Sequence, residues 1–135
     1  MKPLHCLLLL TAFACQSKKN TDHDQADAYR DLLIDRVIWK KSDVANPPGS
    51  PTNVHGFTMT NTSELYSYHQ IEVRFDYFDS TYHKIGSSNR ILPQAIGPRA
   101  ALPVRDIQDG PVMPAARSAT VTVVKAESDR AVLPE

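Results

Sequence analysis

Apolar and polar residues alternate along most of this chain, and the clearest stretch is His69-Gln-Ile-Glu-Val-Arg-Phe-Asp-Tyr77. Ile71, Val73, Phe75 and Tyr77 share one parity, and Glu72, Arg74 and Asp76 share the other. A period of two with polar residues on one side predicts a half-buried antiparallel strand. Val54 to Asn61 alternates in the same way, with His55, Phe57 and Met59 on one face and Thr58 and Thr60 on the other. Residues 32–40 predict an earlier strand, in which Leu33, Val37 and the single tryptophan, Trp39, share a parity that Asp35 interrupts. Asp79-Ser-Thr-Tyr82 predicts a turn, His83 to Ile91 the returning strand of a hairpin, and Ala100 to Ile107 and Ser118 to Ala126 two further strands. Asn46-Pro-Pro-Gly-Ser-Pro51 and the prolines at 93, 98, 103, 111 and 114 break the chain into short pieces. Short strands separated by turns predict an all-β fold, an immunoglobulin-like antiparallel β-sandwich of six to seven strands over residues 32–127, with a tail at 128–135. Its expected core is Val37, Trp39, Met59, Ile71, Val73, Phe75, Ile85 and Val123.

The first residues follow a different pattern. MKPLHCLLLLTAFAC opens with Lys2 and runs into an apolar stretch from Leu4 to Phe13. That is the length of a signal-peptide core and too short to span a bilayer, which takes about 20 apolar residues. Ala12-Phe13-Ala14-Cys15 resembles a bacterial lipobox. The resemblance implies cleavage before Cys15, a diacylglycerol on its thiol and an acylated amino terminus. Several acyl chains hold a soluble domain at a membrane where one alone binds it reversibly. The other readings are a secretory signal without lipid and a short core helix. Residues 1–14 are thus expected to be a signal peptide and 15–31 a polar tether, in which Asp24 or Asp27 could cap one helical turn.

The cysteine count fits an anchor. The chain has two cysteines, Cys6 inside the apolar stretch and Cys15 at its end. Removal of residues 1–14 leaves Cys15 alone, so lipidation would leave no thiol for a disulfide, a metal or catalysis. Fifteen basic residues balance fifteen acidic ones, which gives no net positive charge to hold a nucleic acid.

Candidate chemistry is sparse. His55, His69 and His83 recur every fourteen residues, but no pair has the close spacing of a metal motif. Glu72 and Asp76 flank Arg74 on one strand face, the pattern of a solvated sheet surface. The sequence has no Gly-x-Ser-x-Gly elbow and no glycine-rich phosphate loop. The expectation is a protein that is not an enzyme and needs no cofactor and no metal. Tyr66, Tyr68 and Tyr82 could form an aromatic patch for a glycan or peptide, or could simply pack at the ends of a sandwich.

The stretch VHGFTMTNTSELYSYHQIEVRFDYFDSTYHKIGSS resembles the FxLyD-type domain of bacterial cell-envelope proteins. The matching positions are Gly56, Met59, Asn61, Tyr68, Ile71, Val73, Phe75, Tyr77, Asp79, Ile85 and Gly86, within a resemblance that covers about residues 33–126. The layout is also similar to small lipoproteins of Bacteroidota. The run from Gly56 to Asn61 is one residue longer than the family pattern, which predicts a bulge near Phe57–Thr58. The motif consists of packing and turn residues and carries no catalytic group. The likeness to small lipoproteins of Bacteroidota implies that the protein, anchored through the lipobox-like Cys15, sits at the outer membrane facing the periplasm. Its partners would be the membrane, through Cys15, and an envelope protein.

Overall fold

The structure, a computed structural model, describes residues 25–42 and 51–132. Cys15 and the Pro47-Pro48-Gly49 loop lie outside the described residues. A one-turn helix, α1 (Ala28–Asp31), leads into six strands: β1 (Leu32–Ser42), β2 (Thr52–Asn61), β3 (Tyr66–Phe78), β4 (Lys84–Leu92), β5 (Ala101–Pro111) and β6 (Ser118–Arg130). They form two antiparallel three-stranded sheets, in the orders β1-β2-β5 and β4-β3-β6. The chain changes sheet between β2 and β3, between β4 and β5, and between β5 and β6. This is the crossing pattern of an immunoglobulin-like sandwich. Each strand expected from the alternation is present.

The core lies between the sheets. Met59 of β2, Ile71, Val73 and Phe75 of β3, and Val123 of β6 are buried in it, with Phe57, Tyr77, Leu92, Ile96 and Val104. The parity of β2 and β3 therefore points as the alternation indicates. Trp39 and Ile85 are only partly buried against this cluster.

Val37 is a correction. It is exposed, as are Leu33 and Ile38. Asp35 pairs with Thr58 and Ile38 with Gly56, so β1 spends three steps where β2 spends two. The extra residue is a bulge at Arg36–Val37, and Arg36 takes the left-handed conformation at φ 51°. The bulge exchanges the two faces of β1. Leu32 and Ile34 point inward before it and Trp39 points inward after it. A single parity drawn through Leu33, Val37 and Trp39 could not anticipate that exchange.

A second bulge lies across β2. His55 pairs with Ile107 and Phe57 with Val104, so the extra residue falls in β5, where Asp106 has φ 55°. The irregularity expected near Phe57–Thr58 thus sits in both neighbours of β2 and not in β2 itself.

The domain boundaries move outward. Asp27 caps α1, its carboxylate accepting from the backbone N–H of Tyr29 at 3.0 Å and of Arg30 at 3.3 Å. Asp31 is buried, and its backbone carbonyl accepts from the Thr62 N–H at 2.8 Å. Residues 27–31 therefore belong to the domain and not to the tether, and β6 continues past residue 127 to Arg130.

Asn61, fully buried, ties the β2–β3 turn to the segment before β5. Its amide donates to the carbonyls of Tyr66 at 2.7 Å and Gly97 at 2.9 Å, and its oxygen accepts from the Ser63 N–H at 3.0 Å. Gly86 has a packing reason: a Cβ there would meet the Met113 Cε at 2.5 Å.

Candidate functional site

The three tyrosines singled out by sequence do not make one surface. Tyr66 and Tyr68 stand at the start of β3, whereas Tyr82 stands in the turn after its far end. Thirteen residues of strand separate the ends by about 40 Å at the usual rise per residue. Tyr68 is 1% exposed and its hydroxyl donates to Asp31 Oδ2 at 2.5 Å. Burial, reinforced by that carboxylate, pushes the Tyr68 phenol well above its ordinary range. Burial works to raise the Asp31 carboxyl too, but hydrogen bonds from Arg30 and Tyr68 outweigh it and hold the group below its usual value. Tyr68 is a packing residue with a satisfied hydroxyl, and Tyr82 is a lone exposed ring at a hairpin tip.

The histidines also stay apart. His69 on β3 faces Asp129 and Glu127 of β6, with Nε2 2.9 Å from Asp129. His83 lies in the hairpin turn, where Asp79 Oδ1 accepts from the N–H groups of Thr81 and His83. His55 is inside the sandwich. No group of three potential metal-ligating side chains occurs among the described residues. Glu72 accepts from Asn89 and pairs with Lys125. Asp76 is held by Ser87, Arg74 and Lys84. The two carboxylates serve separate pairings within their own sheet, and Asp76 is buried, so this strand face is not the fully solvated surface that the alternation suggested.

A buried polar cluster joins the two sheets, and sequence reasoning missed it. Asp109 of β5 is 3% exposed and accepts hydrogen bonds from the hydroxyls of Tyr77 on β3 and Ser88 on β4. Arg90 of β4 places Nε 3.1 Å from Asp109 Oδ1. His55 Nε2 lies 2.8 Å from the Tyr77 oxygen. Because the Tyr77 proton is given to Asp109, the Tyr77 oxygen is the acceptor and His55 carries its proton on Nε2. Nδ1 of His55 is buried with no partner, and the ring stacks on Phe75 with centroids 3.8 Å apart. Burial drives the His55 pKa down to about 4, against the smaller opposing pull of Asp109. Beside this cluster, Trp39 Nε1 donates to Asn53 Oδ1 at 2.9 Å, and the Asn53 amide donates to the carbonyls of Asp109 and Pro111. The hydroxyls and the imidazole are spent on one another. They clamp β5 to β3 and β4, an arrangement suited to fixing sheet against sheet.

No family model, curated protein or solved structure matches this chain.

The outer face of the β1-β2-β5 sheet carries the accessible feature. His55, Phe57 and Met59 point inward, so Val54, Gly56 and Thr58 point out. Gly56 lacks a side chain at the middle of this row, and the two bulges flank it. The result is a hollow of about 410 Å³. Val54, Gly56, Thr58, Ile38 and Pro103 line it, together with Arg36, Lys40, Arg105 and Asp106. Among the described residues, the side chains of Arg36, Lys40 and Arg105 have no hydrogen-bonding or ionic partner. The alternation in β2 puts Val54 and Gly56 outward, but only the bulges bring the two arginines to one hollow. Nothing in the linear pattern announces that.

Proposed function

We propose that this chain is a non-enzymatic lipoprotein of a bacterial cell envelope, anchored through Cys15, whose sandwich is a protein-interaction module. The observation that carries the module reading is the free edge of β1. β1 is eleven residues long and hydrogen-bonds to β2 on one side. Among the described residues, no strand pairs with its other side. Its exposed side chains include Leu33 at 54%, Val37 at 42% and Ile38 at 63%. A long edge with apolar side chains is a template for an added strand from a partner. The Arg36 bulge interrupts that template, which suits a partner matched to this edge and discourages indiscriminate pairing. The polar cluster supports the non-enzymatic reading, because its nucleophile and base types are committed to holding the sheets.

The anchor rests on the lipobox-like Ala12-Phe13-Ala14-Cys15 and the lack of another use for that thiol. The proposed location is the outer membrane, facing the periplasm, on the likeness of the layout to small lipoproteins of Bacteroidota. The test combines metabolic labelling with a palmitate analogue and photo-crosslinking from position 33. The expected result is label that disappears in Cys15→Ala, with one stoichiometric envelope-protein adduct at position 33. A crosslinker at the exposed Gln94 should give no such adduct. Equal labelling of wild type and Cys15→Ala refutes the anchor. Absence of a β1-specific adduct refutes the module.

A further inference from the structure

The hollow on the outer face has the composition of a small-ligand site, a chemistry different from the anchor and from strand addition at β1, although β1 contributes Arg36, Ile38 and Lys40 to it. Three cationic side chains, Arg36, Lys40 and Arg105, line it against a single carboxylate, Asp106. Three cations against one carboxylate give the lining a net charge of two positive, and none of the three cations has a partner among the described residues. An exposed protein surface usually intersperses the two signs of charge, so three unpaired cations around one concavity are a feature to be accounted for. The floor differs from the walls. Val54 is 6% exposed although it faces outward, and it lies beside Gly56, with Ile38 and Pro103 at the sides. The volume of about 410 Å³ falls in the range of small-molecule sites. Arg36 and Asp106 both hold left-handed backbone, at φ 51° and φ 55°. Bulges of this kind re-aim side chains, and here they turn strand residues toward the hollow.

We propose that this hollow binds a phosphomonoester. Its phosphoryl group sits among Arg36, Lys40 and Arg105, and its organic body rests on the Val54–Gly56 floor. Two net positive charges match the dianion of a phosphomonoester, and arginine forks bind phosphoryl oxygens in pairs. The same chemistry comes from two sources, a soluble organic phosphate or the headgroup of a phosphatidic-acid-like lipid.

Gly56 supplies a clean test. A Cβ there would meet only the Val104 carbonyl oxygen, at 3.5 Å, an ordinary contact. The backbone thus accommodates a Cβ at position 56, and Gly56→Val projects a branched side chain into the hollow from its floor. The purified full chain in neutral detergent micelles, labelled with 15N, is titrated with phenyl phosphate and, in parallel, with benzoate. The expected result is saturable amide shifts centred on residues 54–58 and 103–106. Affinity should fall about tenfold or more in Arg36→Gln/Arg105→Gln and in Gly56→Val. It should rise as pH passes upward through about 6, where the ester becomes a dianion. Displacement of phenyl phosphate by phosphatidylcholine vesicles that contain phosphatidic acid, and not by phosphatidylcholine alone, supports the proposal with a lipid headgroup as the source. Saturable binding that such vesicles do not displace supports it with a soluble phosphate as the source. Shifts elsewhere, no saturation, or binding unchanged in both variants overturn the proposal, and so does benzoate binding as tightly as phenyl phosphate.

Discussion

The neutral His55 imidazole makes the stability of this sandwich fall in mild acid, and the size of the fall follows from its surroundings. An unfolded histidine titrates near 6.5. In the folded protein burial holds His55 down to about 4. Protonation would put a second N–H on Nδ1, which faces no acceptor and is stacked against Phe75. The folded state therefore refuses a proton that the unfolded state accepts once pH falls below about 6.5. Full stability is present above that pH and is lost as pH falls toward the folded value, at close to 1.4 kcal/mol per unit. By pH 4.5 the loss from this group alone is roughly 2.5 kcal/mol. Asp31 and Asp76 act in a lower window. Hydrogen bonds hold both below the ordinary 3.8, so the stability they contribute is lost only as pH drops through and beneath that value. The assay is urea unfolding between pH 7 and 4.5, followed by the fluorescence of Trp39, the single tryptophan, which is half-buried beside Asn53. His55→Gln keeps an amide toward Tyr77 and takes up no proton, so its stability should change little over the same range. A flat profile in the wild type, or an equal fall in His55→Gln, refutes the reasoning.

Phe75→Ala should cost about 3–5 kcal/mol, because a fully buried ring at the centre of the inter-sheet contact leaves a cavity; a shift of the urea midpoint worth under about 1 kcal/mol would contradict its place in the core. Tyr68→Phe should cost about 1.5–3 kcal/mol by withdrawing the hydroxyl that donates to buried Asp31, whereas Tyr82→Phe should stay within about 0.5 kcal/mol, and thermal unfolding of the pair measures the contrast.

The six strands and the inward faces of β2 and β3 were legible in the linear pattern, because a strand with one face in a core must alternate with period two. Asn61 and Gly86, picked out by the family-like motif, proved to be a turn tie and a close approach to Met113. Local chemistry offered Asp24 or Asp27 as the cap of one helical turn, and the structure selects Asp27 for α1. The face of β1 was not legible, since a bulge depends on how β1 and β2 share their ladder and no residue of β1 announces it. The same limit hid the Asp109 cluster and the cationic hollow. His55, Tyr77, Ser88, Arg90 and Asp109 come from four strands, and Arg36, Lys40, Gly56 and Arg105 from three. Their meeting is fixed by sheet order and bulge position, which are settled when the two sheets pack, whereas alternation records only which side of its own strand each residue takes.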